Sequence, residues 1–213
     1  MKCIGELPPH RCGWKQSPDL RAVESMSRYF RLRDDMTLPG RWVLGAPLDE
    51  QGRELDPWQF EKGRALELEL PPRFPLLVRG QPLEFSGAAF GIFVVHGRFA
   101  RLCERMGLQH EVQFIPAQVE GQSEPYFILN PLRIARCIDE ARCGEVEHWR
   151  PEHGEPERVG EYRAVHGLKV DPTRTEGAHI FRPWGWMVAL IVSEALKQAM
   201  EQAAITGTKF IEV

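Results

Sequence analysis

Apolar and polar positions along this chain fall mostly into short alternating runs, with helical spacing confined to two places. "RYFRLRD" (28–34) sets Phe30 and Leu32 on one face, with Tyr29 off phase, and predicts a strand. "ALELEL" (65–70) alternates without a break: Leu66, Leu68 and Leu70 one way, Glu67 and Glu69 the other. That predicts a half-buried strand, although Leu and Glu favour helices individually. "FSGAAFGIFVVHGRFARLCERMGL" (85–108) predicts a helical stretch or two, with Phe99, Leu102, Cys103 and Met106 on one face and Gly107 as the stop. "VQFIPAQV", "EPYFILN" and "RIARCID" predict three strands, the first two joined by the hairpin loop "EGQSE". "GEYRAVHGLKVD" and "HIFRPW" predict two more.

The last forty residues are the most legible. Ser193 stands where an N-cap belongs, Glu194 complements the helix dipole, and Leu196, Met200 and Ala203 recur at i, i+4 and i+7. Lys197, Gln198, Glu201 and Gln202 point the other way, Gly207 serves as the stop, and "TKFIEV" closes the chain as a strand. The apolar run before this helix, "WMVALIV" (186–192), is far shorter than the ~20 residues that cross a bilayer. Together these elements predict an α+β fold. It has mixed, mainly antiparallel sheets with a few helices, including an amphipathic helix at about 194–204 followed by a C-terminal strand. The 19 glycines and 17 prolines in 213 residues agree with many turns. Residues 1–27 read as an irregular arm, in which "SPDLRAVESM" offers a short helix capped by Ser17. Residues 28–213 read as one domain, or as two packed lobes joined near 107–111. No internal repeat or linker is evident.

Charge narrows the partners. The net charge of −3 gives no electrostatic basis for direct nucleic-acid binding. No apolar run of a secretory signal opens the chain, and its five cysteines are an odd number, so reduced thiols and a cytoplasmic location are expected. Two acidic stretches stand out. Residues 139–163 hold eight acids and four bases, and residues 49–69 hold seven acids and three bases. Such runs are ordinarily solvated faces; the functional alternative is docking of a basic partner, where complementary charge speeds association. The candidate contacts are Glu145, Glu147, Trp149, Glu152, Glu155 and Glu157 in the first stretch, and Asp49, Glu50, Asp56 and Trp58 in the second.

Catalytic motifs are missing: there is no phosphate-cradling loop, dinucleotide fingerprint, nucleophile elbow or zincin helix. Cys137, Cys143, His148 and His153 lie close enough in sequence to consider zinc, but their spacing is not that of a knuckle, and no metal or cofactor is expected. A small hydrolase or transferase pairing Cys103 or Cys137 with His96 or His179 is the alternative to a binding protein.

Several blocks taken together resemble a known family: "YFRLRDDM", "GRWVLGAPLDEQGRELDPWQFEKGR", "GIFVVHGRF", "PYFILNPLRIARCIDEA" and the stretch from "HIFRPW" to "KFIEV". From about Tyr29 onward the chain resembles the myxobacterial-type immunity proteins, the eleventh class of polymorphic-toxin immunity proteins. The resemblance implies a non-enzymatic protein that binds a cognate toxin in the cytoplasm and protects the producer and its kin. The toxin would be nuclease-type, encoded by an adjacent gene and delivered by a secretion system such as type VI. The resemblance carries no catalytic or toxin-contact residues with it.

Overall fold

The computed structural model describes residues 28–89 and 91–213. The expected N-terminal arm and its short helix lie outside these residues. Among the described residues are two α-helices, α1 (Gly97–Arg105) and α2 (Glu194–Gln202), and many short strands in mostly antiparallel sheets, an α+β fold as expected.

The first large sheet contains β1 (Tyr29–Asp34), β9 (Ile134–Ala135), β12 (Ile180–Pro183), β13 (Leu190–Ser193) and β14 (Thr208–Glu212), in the order β14-β1-β13-β12-β9. The second contains β3 (Arg73–Phe74), β5 (Phe85–Gly87), β6 (Phe93–His96), β7 (Val112–Val119) and β8 (Tyr126–Pro131), in the order β3-β7-β8-β6-β5. Only β9 against β12 and β3 against β7 run parallel. Two small antiparallel pairs lie outside these sheets: β2 (Val43–Leu44) with β4 (Leu76–Val78), and β10 (Glu145–His148) with β11 (Tyr162–His166).

Period-two patterning assigns the faces. On β13, Leu190 and Val192 enter a central core and Ile191 enters a second one; on β6, Phe93 and Val95 enter the central core and Val94 a third. The central core takes one face of each large sheet and the apolar stripes of both helices. Residues 137–178, with the β10–β11 pair, cover the outer face of the first sheet through Cys137, Tyr162 and Val165. Residues 42–83 cover the outer face of the second through Trp42, Phe60 and Phe74.

Against the expectation of no internal repeat, the two halves of the chain repeat one another in structure at a step of 97 residues. The step takes Tyr29 to Tyr126, Phe93 to Leu190, Gly97 to Glu194 and Gly107 to Ala204. In the second sheet Phe93 faces Leu129; in the first, Leu190 faces Leu32. Gly97 N–H donates to Pro125 O (2.8 Å), and Glu194 N–H to Arg28 O (2.9 Å). The helix pairs Phe99/Leu196 and Cys103/Met200 and the turn pair Leu108/Ile205 all sit in the central core. The leading strand of each half is exchanged: β1 lies inside the sheet built by the second half, and β8 inside the sheet built by the first.

Three local expectations need correcting. Residues 65–70 form no strand, because no neighbouring strand offers them a ladder. The Gln113 side chain instead clamps the Leu66 backbone, its Oε1 accepting from Leu66 N–H (2.9 Å) and its Nε2 donating to Leu66 O (2.7 Å). Where helix was expected, Phe85–Gly87 and Phe93–His96 are the strands β5 and β6. A positive-φ turn at Gly91 returns the chain, and inward Phe85, Phe93 and Val95 pack the central core. The left-handed position after α2 belongs to Ala204 (φ 51°), not to Gly207. Gly207 is demanded by packing, since a Cβ there would lie 2.1 Å from Phe85 O.

Candidate functional site

The two acidic stretches are far apart in sequence, and the fold brings part of each to a single cleft. Asp56 caps the 3-10 turn Pro57–Glu61 by accepting Trp58 N–H (3.0 Å), which fixes Trp58 on the surface and turns Phe60 and Glu61 inward. From the other stretch, short 3-10 turns at Pro151–His153 and Pro156–Arg158 carry the chain between β10 and β11 and place Glu155 and Glu157 on the same rim. The third wall is the turn after β12. There Gly185 takes φ 76°, with so little space against the Tyr162 ring that a Cβ would approach it to 3.0 Å, and Trp184 and Trp186 flank it.

The cleft between these walls has a volume of about 750 Å³. Acids prevail around it: Glu61, Glu155, Glu157 and Glu161 stand against Lys62 and Arg158. Arg158 is engaged within the wall, 3.4 Å from Glu161 and stacked 4.5 Å from the Trp149 ring centroid. Arg136 stacks on Trp184 at 3.4 Å.

Beneath the cleft lie two buried charges. Glu61 is only 6% exposed, and its Oε1 has no hydrogen-bond partner. Burial pushes its carboxyl above the ordinary range, partly offset by Arg182 and Arg158. Arg182 is wholly buried; it donates to Met187 O and, at 2.9 Å, to Gly91 O, while its Nε is unpartnered. Burial lowers the guanidinium to about 10, so it stays charged at neutral pH. The indole Nε1 of Trp186 is also buried without a partner.

The remaining candidate contacts have other settings. Glu145 and Glu147 lie exposed on β10, and Glu147 pairs with Arg163 across the β10–β11 pair (3.2 Å). Glu152 pairs with Arg150 (3.8 Å). Trp149 is half-buried between Arg158 and the edge of His153. Asp49 closes its own loop, accepting Gln51 and Arg53 N–H (2.9 Å each) and pairing with the Arg53 side chain (2.7 Å). With Glu50 it borders a separate hollow of about 260 Å³. Sequence reasoning passed over Glu61, Trp184, Trp186 and Arg182 as functional residues. The available signal was Arg182, a charge between Phe181 and Pro183 in an otherwise apolar strand.

The cysteine and histidine side chains are engaged elsewhere. Cys137 packs in the second core, Cys143 Sγ accepts Lys169 N–H (3.3 Å), His148 lies against Tyr162, and His153 Nδ1 accepts Arg150 N–H (3.1 Å). Among the described residues no group of three or more His, Cys, Asp or Glu is placed to hold a metal ion. Burial pushes the Cys103 and Cys137 thiols up to about 12, the opposite direction from an activated nucleophile. His96 caps α1 and His179 bonds Ser193 Oγ (2.7 Å), both helix-entry roles. No described helix is long and apolar enough to cross a membrane.

No curated protein matches this chain. A family model does: the Immunity protein family (Imm11), over residues 16–213, which extends the earlier resemblance toward the N terminus. With nearly the whole chain matched, the protein belongs to the Imm11 immunity protein family.

Proposed function

We propose that this protein neutralises a cognate toxin by stoichiometric binding in the cytoplasm rather than by catalysis, protecting the cell that makes the toxin and its kin. Family membership supports a toxin as partner. The observation that carries the docking mode is that Glu145, Glu147, Glu152, Glu155 and Glu157 all lie exposed along the acidic stretch 139–163. A stretch of this sign suits a cationic toxin such as a nuclease, whose own substrate is a polyanion. The gene beside this one is the first place to look for the toxin, and a system that injects proteins into neighbours, type VI secretion among them, is the natural route of delivery.

The test is co-purification with the product of the adjacent gene, carrying an inactivated toxin site, with affinity followed by calorimetry. A tight one-to-one complex is expected, and no association with that product would sink the reading. Reversing Glu147, Glu152 and Glu155 to Lys together should slow association by about tenfold or more at low salt and flatten its salt dependence. An unchanged rate would move the contact away from this stretch.

A further inference from the structure

We infer that Arg31 and Arg33, with Lys209 beside them, form a receptor for an aspartate or glutamate side chain of the toxin, at the pocket where β1 runs on past the start of β13. The identity of the partner rests on the immunity reading; the charge and size of the occupant come from the pocket.

Strand register builds the cluster. Arg31 and Arg33 alternate with Leu32, which enters the central core, so both side chains take the outer face of the first sheet. On β14, Lys209 stands directly across from Arg33, and directly opposed residues of an antiparallel pair share a face. Two like charges in that register repel and destabilise the strand pair. Among the described residues, none of Arg31, Arg33 and Lys209 has a hydrogen-bond acceptor or an ion-pair partner for its side chain. The adjoining acids are engaged. Asp34 pairs with Arg41 (3.1 Å), and Asp35 accepts the Thr37 N–H (3.0 Å) and hydroxyl (2.6 Å), feeling the charge of Lys209 only at a distance.

Arg31 and Arg33 line a pocket of about 330 Å³ together with Met36, Arg41 and Val188. Arg31 is partly buried there, between Ile191 and Ile211 of the flanking strands. Burial lowers its guanidinium below the ordinary range, and the charge of Arg33 adds to the lowering. A partly buried guanidinium without an acceptor is costly, and a carboxylate supplies a bidentate one. Asp34, the one acid in the pocket lining, already belongs to Arg41. The volume admits a single side chain, and Met36 and Val188, both exposed, offer apolar surface to its methylenes. A nucleic acid would need a basic track along its phosphates, which three cations in a chain of net charge −3 do not make. The β10–β11 pair covers this same sheet face through Tyr162 and Val165, so the acidic stretch and the basic cluster belong to one side of the first sheet. Opposite signs on one side fix the orientation of a partner that meets both.

The test uses two probes on the full chain. The first is an acetylated, amidated Gly-Gly-Glu-Gly-Gly peptide, with a glutamine version and inorganic phosphate beside it, followed by the arginine Nε–H resonances. The glutamate peptide should shift Arg31 and Arg33; glutamine, of similar shape without the charge, should not, and phosphate should bind no more tightly than glutamate. Arg31→Gln should abolish the response. Because Arg31 is partly buried, Arg33→Gln/Lys209→Gln at exposed positions provides a second variant. That variant removes a pair of like charges, so it should melt no lower than wild type. The second probe is the inactivated toxin from the adjacent gene. Both variants should weaken its binding by at least about tenfold, with Arg105→Gln at the exposed end of α1 as an unaffected control. Equal responses to glutamate and glutamine, or no response to either, would overturn the receptor. Phosphate binding about tenfold more tightly than glutamate would overturn it too, assigning the pocket to a phosphate ligand. A lower melting temperature in the second variant would give the cations a structural role instead. Full toxin affinity in both variants would also overturn the receptor, and in that case the immunity reading stands. A wild-type chain that shifts with glutamate but ignores the toxin would instead sink the partner and leave the pocket chemistry in place.

Discussion

At the scale of single residues, the buried pair Glu61 and Arg182 governs both the cleft and its cost to stability. Desolvation, the larger influence, raises the Glu61 carboxyl, and Arg182 and Arg158 only partly restore its charged form; Lys62, Glu155, Glu157 and Glu161 are the other charges around the cleft. A carboxyl that holds its proton more tightly when folded makes stability fall as pH rises through the window between its unfolded and folded pKa values. Glu61→Gln, a neutral mimic of the protonated form, should therefore raise the melting temperature at neutral pH. The advantage should shrink as pH falls toward the ordinary glutamate value of about 4.3. A variant less stable than wild type at neutral pH would mean that the charge of Glu61 is needed by Arg182. Arg182→Met should cost about 3 kcal/mol, because it strips donors from two partly buried carbonyls and leaves Glu61 without its nearest cation. In a double-mutant cycle read by urea denaturation, that loss should be smaller on the Glu61→Gln background. Additive losses would show that the two charges do not sense each other.

At the scale of elements, the two strand–helix units solve one problem with different residues. His96 caps α1 through its ring Nδ1, which accepts Arg98 N–H (3.3 Å); Ser193 caps α2 through its hydroxyl, which accepts Leu196 N–H (3.2 Å). Gly107 ends the first unit at φ 74°, where glycine is unstrained, whereas the second places Ala204 at φ 51°. Ala204→Gly should stabilise the protein by about 1 kcal/mol, and Gly107→Ala should destabilise it by a similar amount, both read by denaturant titration. Opposite signs at these two sites are what the equivalence requires; the same sign at both would contradict it. The same comparison explains what the sequence could reveal. The cap, stripe and strand of 193–213 were legible because each signal is local. The 85–96 strands were not: their alternation is broken by "SGAAFG", and the burial that makes them strands comes from β8, thirty residues away. "ALELEL" misled in the opposite direction, its perfect alternation having no partner strand to answer it. The cleft was half legible, as acidic runs with Trp58; its floor comes from a turn and a strand that read as ordinary core.

At the scale of the whole molecule, the exchanged strands decide how the chain folds. The first sheet consists of strands from the second half with β1 inserted between β14 and β13; the second consists of strands from the first half with β8 inserted between β7 and β6. The match "YFRL" at 29–32 to "YFIL" at 126–129 marks these two inserted strands, and each pairs on both sides with the other half. Removing either half thus takes an inner strand from the sheet that remains, exposing two unpaired edges and part of the central core. The cut that tests this lies in the β7–β8 hairpin, where Gly121 has φ 72° and a nick disturbs no buried side chain. Fragments 28–122 and 123–213 should each lack a cooperative thermal transition, yet recover one when mixed. Refolding of the mixture should depend on fragment concentration, because the strand exchange makes assembly bimolecular. The closure of both sheets also implies slow folding of the intact chain, since β1 must wait for β13 and β14, more than 150 residues downstream. Either fragment melting cooperatively by itself would show that a half can complete its own sheet, with its leading strand folded back into it, and the exchange would then be a feature of the joined chain alone.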